Sequence, residues 1–292
     1  MPKTMGIKFR DLIIEKIRKP IRPKRFSAIL FLILGIFLTA ITGCGTLENG
    51  RGWGQDAIYP FKGDKITHSL YTAAVEWRTW VPAAGAGVSS LDDFDERVSE
   101  WATDYTPIFG SKDSASQMAN YLLGALEAEV FVTALATPSG KDPKQWVKSK
   151  AKGLTVELGA EATTVLATEA LKDITNRPRP SGMGSSFPSG HSTAAFSSVA
   201  LANRNLESIP MSKNVRIALQ IGNELLAAAI AWARVETNAH YLSDVLAGAA
   251  LGNFIGSFMY DGFMGIPETK PFQINVFPVP GGVAAGISFS FK

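Results

Sequence analysis

The amino-acid sequence predicts an all-α helical bundle that ends in a short C-terminal β-hairpin. Three observations carry that reading. Helix start and stop signals recur through the middle of the 292-residue chain. The stretch 245–260, VLAGAALGNFIGSFMY, has no charge and sets Gly248, Gly252 and Gly256 four residues apart, which gives a helix one face that a neighbour can approach closely. The tail, PFQINVFPVPGGVAAGISFSFK, alternates at Ile287, Phe289 and Phe291 beyond a Pro280-Gly281-Gly282 turn.

The first element is a leader. Nine Lys/Arg against two acids among residues 1–26 is a net +7, so with +3 overall the remainder of the chain carries −4. A mildly acidic body argues against nucleic-acid binding, which needs a basic face. The basic stretch runs into FSAILFLILGIFLTAITGC, a charged region followed by an apolar run and small residues, as in an export signal. Ile41-Thr42-Gly43-Cys44 resembles the lipobox of bacterial lipoproteins. That resemblance implies a signal peptide over 1–43, cleavage before Cys44 and acyl chains on that cysteine, which would anchor the body to a membrane. An uncleaved anchor helix over 26–43 is the alternative, near the lower length limit for a span. Either way the body lies outside the cytoplasm, facing the periplasm. Gly45 in place of an aspartate favours the outer membrane. With one cysteine in the chain, no intramolecular disulfide and no cysteine-rich zinc site can form.

Residues 44–65 read as a linker or irregular arm. Residues 66–265 read as the helical domain. Within it, Ser90 is placed to cap a helix with Leu91, Phe94, Val98 and Trp101 on one face. Ser114 opens a second helix through Ala136. Asp142-Pro143 gives an N-cap followed by proline at the first helical position, and that helix runs to Thr175, with a kink expected near Gly153. Arg177-Pro178-Arg179-Pro180 must stop it. Further helices cover about 192–206, 212–235 and 240–260. Glu127, Glu129, Glu157, Glu161, Glu169 and Glu224 fall where membrane spans would run. Charges inside lipid are costly, so the expectation is a water-facing bundle. Residues 266–292 form the tail with its hairpin.

Two segments carry chemistry. Residues 172–191 read KDITNRPRPSGMGSSFPSGH, and residues 234–244 read RVETNAHYLSD. Lys172, Arg179 and Arg234 supply cations, and the arginine fork matches phosphate. Ser189 offers a hydroxyl, and Gly190 a backbone N–H without a side chain in the way. A helix beginning near His191 adds further N–H groups that favour an anion. His240 and Asp244, four apart, share one helix face, so Asp244 can fix the tautomer of His240 and leave its other nitrogen free to attack. His191 can protonate a leaving group. His68 has no matching partner and reads as structural. Arg177 repeats the Arg-Pro pattern at the wrong spacing and reads as a neighbour of the site, not a ligand.

Together these residues resemble the three-part signature of the type 2 phosphatidic acid phosphatase superfamily, which includes bacterial acid phosphatases, lipid phosphate phosphatases and vanadium haloperoxidases. One departure is Ala233, where a serine often precedes the arginine. The resemblance implies the helical bundle of that superfamily. It implies a phosphohistidine on His240, with His191 as general acid and Asp244 as orienter. Lys172, Arg179, Ser189, Gly190 and Arg234 would hold the phosphate. No metal or other cofactor is implied for hydrolysis. A phosphorylated lipid or a small phosphate ester is the expected substrate. Two alternatives stay open: a haloperoxidase holding vanadate on His240, and a non-enzymatic outer-membrane binding protein on the same fold.

Overall fold

The computed structural model describes residues 45–58 and 63–265 and the backbone of 272–279 and 282–289. The leader and Cys44 lie outside the described residues. Eight helices follow in order among them: α1 Gly63–Val75, α2 Trp77–Ser89, α3 Phe94–Tyr105, α4 Lys112–Ala136, α5 Pro143–Thr175, α6 Gly190–Ser208, α7 Lys213–Glu236 and α8 Leu242–Phe263. Strands β1 (Phe272–Val279) and β2 (Gly282–Phe289) pair antiparallel, with Phe272 opposite Phe289 and Val279 opposite Gly282.

Local signals set most helix ends. Ser111 accepts a hydrogen bond from the Ser114 amide at the start of α4, one turn before the start read from the sequence. Asp142 accepts from the Gln145 amide at 2.9 Å and Pro143 occupies the first turn of α5, as its sequence implies. That helix is one continuous 33-residue element. Gly153 has another purpose: a Cβ there would lie 2.2 Å from the ring of Trp53. The irregular arm therefore docks into the bundle. Trp53 is fully buried, its indole N–H donates to Tyr260 Oη at 2.9 Å, and it packs with Val130, Val156 and Leu201.

α3 departs from the sequence reading. Its N-cap is Asp93, in the left-handed region, not Ser90. Leu91, Phe94 and Trp101 are exposed, while Asp95, Ser99, Ala102 and Thr103 are buried. The cause is Asp95, whose carboxylate is held inside by Arg177 and Ser243. A charge satisfied by three hydrogen bonds from these two residues outweighs the apolar stripe in deciding which face turns in.

α8 is the central helix, packed against α6, α2, α5 and α1. Its glycine face meets the backbone of α6: a Cβ at Gly248 would lie 2.8 Å from Ser189 O, and one at Gly252 2.1 Å from Thr193 O. This close approach sets the starts of α6 and α8 side by side. Ser189 N donates to Asp244 O at 3.0 Å, and Ser192 Oγ to Val245 O at 2.6 Å. Residues far apart in the chain are joined by backbone contacts that only glycine permits.

The acids that argued for a water-facing surface are mostly turned inward. Glu157 accepts from Asn205, Glu161 from Ser198, Glu129 from Asn223, and Glu224 pairs with Arg78. Leu158, Val165 and Leu166 of α5 and Ile221 and Leu225 of α7 lie exposed instead. By length and composition α4, α7 and α8 are each apolar enough to cross a membrane. A count of acids along the sequence missed their direction.

Candidate active site

The site is built where α5 ends, α6 and α8 begin and α7 ends. Lys172 stands in the last turn of α5, which closes on Asn176 in the left-handed conformation. The chain then doubles back through a small loop. Pro178 bridges Ser185, and the Arg179 amide donates to Gly184 O at 3.1 Å. Arg179 Nε donates to Ser185 O at 3.2 Å, which holds the guanidinium against its own loop. Ser189 caps α6, fully buried. Gly190 follows; a Cβ on it would lie 3.5 Å from Lys172 Nζ, so the ammonium crosses directly over the helix start. Lys172 also contacts Glu169 at 2.6 Å.

His191 is half-buried, with Nε2 at 2.8 Å from Asn120 Oδ1 on α4. With the amide oxygen as acceptor, Nε2 carries a proton. Burial first, then Arg234, His240, Lys172 and Arg179, push its pKa down to about 4. The same four groups that the sequence singled out surround this imidazole closely enough to act on its charge. Arg234, in the last turn of α7, is itself pushed below the usual arginine range by burial and by Arg179. Its Nε is buried without a hydrogen-bond acceptor. Cations crowded together with an unmet donor cost free energy that an anion would recover.

His240 is 2% exposed. Its Nδ1 lies 2.7 Å from the carbonyl oxygen of Ser186 and 3.8 Å from Asp244 Oδ2. A carbonyl only accepts, so Nδ1 holds the proton and Nε2 carries the lone pair. The hydrogen-bonding orienter is thus the Ser186 carbonyl, a group the sequence reading did not name. Asp244 acts on His240 through its charge. Burial lowers the His240 pKa, and Asp244 works against that shift. Asp244 is fully buried, accepting from the Tyr241 amide at 2.8 Å and from Arg177 Nη1 at 2.9 Å.

Arg177 has a defined place. One guanidinium joins Asp244 Oδ1 at 2.9 Å, Ser243 Oγ at 2.7 Å and Asp95 Oδ2 at 2.8 Å, and stacks over the Tyr241 ring at 4.1 Å. It ties α3, the loop and α8 together behind His240. Asp95, Asn120, Ser186 and Ser243 complete this supporting layer, and each comes from outside the two motif segments or between their key positions. Only the repeated Arg-Pro pair hinted at it. Among the described residues no cluster of three or more His, Cys, Asp or Glu side chains could hold a metal ion.

All eight motif positions, Lys172 to Asp244, fall inside a segment that matches a known family. Residues 154–265 match the PAP2 superfamily. The matched segment begins within α5 and ends after α8, so it holds the eight motif positions but not Asp95 and Asn120, which come from α3 and α4. No curated protein matches the chain. Among solved structures, it is similar to a transmembrane PAP2-type phosphatidylglycerolphosphate phosphatase from Bacillus subtilis, at 21% identity and a TM-score of 0.46, covering 67% of this chain and 94% of that one.

Proposed function

We propose that this chain is a phosphatase that hydrolyses phosphate esters, lipid phosphates or pyrophosphates above all, through a phosphohistidine on His240. The observation that carries the reading is the His240 ring. Its Nδ1–H is committed to the Ser186 carbonyl, which leaves Nε2 as a nucleophile beside Arg234 and Arg179.

Lys172, Arg179, Arg234 and the α6 N-terminus at Ser189 and Gly190 bind the phosphate oxygens and offset the charge that spreads over them during transfer. His240 Nε2 attacks phosphorus as the ester oxygen departs. That oxygen takes a proton from His191, held as imidazolium by the bound phosphate anion, giving the free alcohol and a neutral imidazole. His191 then takes a proton from water, whose oxygen attacks the phosphorus. The P–N bond breaks, and its electron pair returns to His240 Nε2. Asp244 stabilises the positive charge on His240 while the phosphoryl group is attached.

A membrane-bound enzyme facing away from the cytoplasm fits the apolar leader before Gly45 and the exposed apolar residues of α5 and α7. It would meet phosphorylated lipids at their own surface. The test is a phosphate-release screen over lipid and soluble esters. His240→Ala removes the nucleophile and is expected to abolish turnover. His191→Ala is expected to cost about 10²–10⁴-fold. Equal turnover in all three proteins would overturn the mechanism. Bromide oxidation with peroxide and vanadate, without ester hydrolysis, would replace it with haloperoxidase chemistry.

A further inference from the structure

The start of α5 is unlike the rest of the surface. Residues 141–152 hold five lysines against one aspartate, in a body that is otherwise mildly acidic. Lys150 turns inward, its ammonium hydrogen-bonded to the carbonyls of Ala134 and Thr137. Lys141, just before the helix, and Lys144 and Lys148, four apart on it, are exposed. Between them Val147 is 60% exposed, and with Pro143 and Ala151 it floors a shallow apolar groove edged by Lys144 and Lys148. Lysine stems beside apolar side chains suit the boundary between headgroups and acyl chains.

The second observation is where the chain arrives. Gly45 and Gly140 exchange backbone hydrogen bonds, Gly140 N to Gly45 O at 2.7 Å and Gly45 N to Gly140 O at 3.3 Å. Gly45 directly follows the apolar leader and Cys44. Any anchor at or before Cys44 therefore enters the domain one residue away from Lys141. Fixed geometry, positive charge and an apolar floor meet at one place.

We propose that this base of the domain, Lys141, Lys144, Lys148 and Val147, docks on an anionic lipid bilayer as a second attachment beside the N-terminal anchor. The inference rests on the membrane-bound reading above. One anchoring element beside a basic patch binds a membrane more firmly than either alone. The lysines lie over acidic headgroups, Val147 and Pro143 reach toward the acyl boundary, and the short link through Gly45 keeps the base from lifting away.

The test uses the full-length protein in vesicles of phosphatidylcholine alone and of phosphatidylcholine with phosphatidylglycerol in equal parts. A membrane-impermeant amine reagent is applied, and labelling is read at each lysine by mass spectrometry. Lys141, Lys144 and Lys148 should label about fivefold more slowly in the anionic vesicles, the factor that attraction of one lysine to such a surface supplies. High salt should remove the difference. Lys112, exposed at the start of α4, serves as reference and should label equally in both. Equal labelling of the three base lysines in the two vesicle types would overturn the proposal. So would protection in both types that salt does not relieve, which would mean contact with protein. Turnover is not the readout, so failure here is distinct from failure of the phosphatase reading. Intact mass reports separately whether the leader is cleaved and Cys44 acylated.

Discussion

The two ends of α6 meet two arginine environments that differ in their balance of charge. Near its end, Arg204 is held by Asp261 at 2.7 and 2.8 Å and by Glu76 at 3.2 Å, so every charge has an opposite partner. At its start lies the other set: Arg179 and Arg234 beside His191, like charges with one buried donor unmet, and Lys172, which reaches the exposed Glu169. The balance of charge is what separates the two places. A matched cluster holds helices together. An unmatched one raises the free energy of the fold and lowers it again when an anion arrives. The contrast separates a structural arginine from a binding one without reference to motif.

Exchanging each arginine for a neutral side chain of similar length should break the contrast in opposite ways. Arg204→Met leaves Asp261 and Glu76 partly buried without their partner, and should cost about 3 kcal/mol in chemical unfolding. Turnover measured below the unfolding temperature should stay near that of the parent protein. Arg234→Met should lower kcat/KM by about 10²-fold, the effect of losing one donor to the transferring group. Its unfolding free energy should hold or rise, because a crowded cation has gone. Loss of stability in Arg234→Met together with loss of turnover in Arg204→Met would reverse the assignment.

A smaller effect sharpens the comparison through pH. The His191 pKa in the anion-free fold is about 4, below its ordinary value of 6.5, so the unfolded chain takes up this proton first as pH falls. That contribution to stability is present above pH 6.5 and is lost as pH falls toward 4. A bound anion raises the pKa and reverses the trend at the site. Inhibition by sulfate, whose own charge is constant over this range, should therefore tighten severalfold between pH 7 and pH 5. In His191→Ala the dependence should flatten. A flat profile in the parent protein would mean that His191 does not sense the anion.

The sequence carried the site better than its support. Asp142-Pro143 and the glycines of α8 were legible because caps and helix faces are local patterns. The three cations and two histidines were legible because phosphoryl chemistry restricts which side chains can serve. The groups behind them were not. Asn120, Ser186 and Asp95 are ordinary residues until folding places them against His191, His240 and Arg177. The role of Arg177 was visible only as a repeat, since its three acceptors lie on two distant helices. The burial of Trp53 was hidden for the same reason, because its seat is Gly153, a hundred positions along the chain. Charge direction was also hidden: Glu157 and Glu161 read as obstacles to lipid contact, yet both point toward α6.

The unbroken length of α5 sets a standoff. At ~1.5 Å per residue, Lys148 at its foot and Lys172 at its head are separated by about 36 Å. With the helix upright on its anchoring surface, the phosphate cage stands clear of that leaflet and meets dissolved esters or headgroups brought from elsewhere. With the helix lying flat, the cage comes down to its own lipids. Tilt, not chemistry, then decides which phosphates come within range.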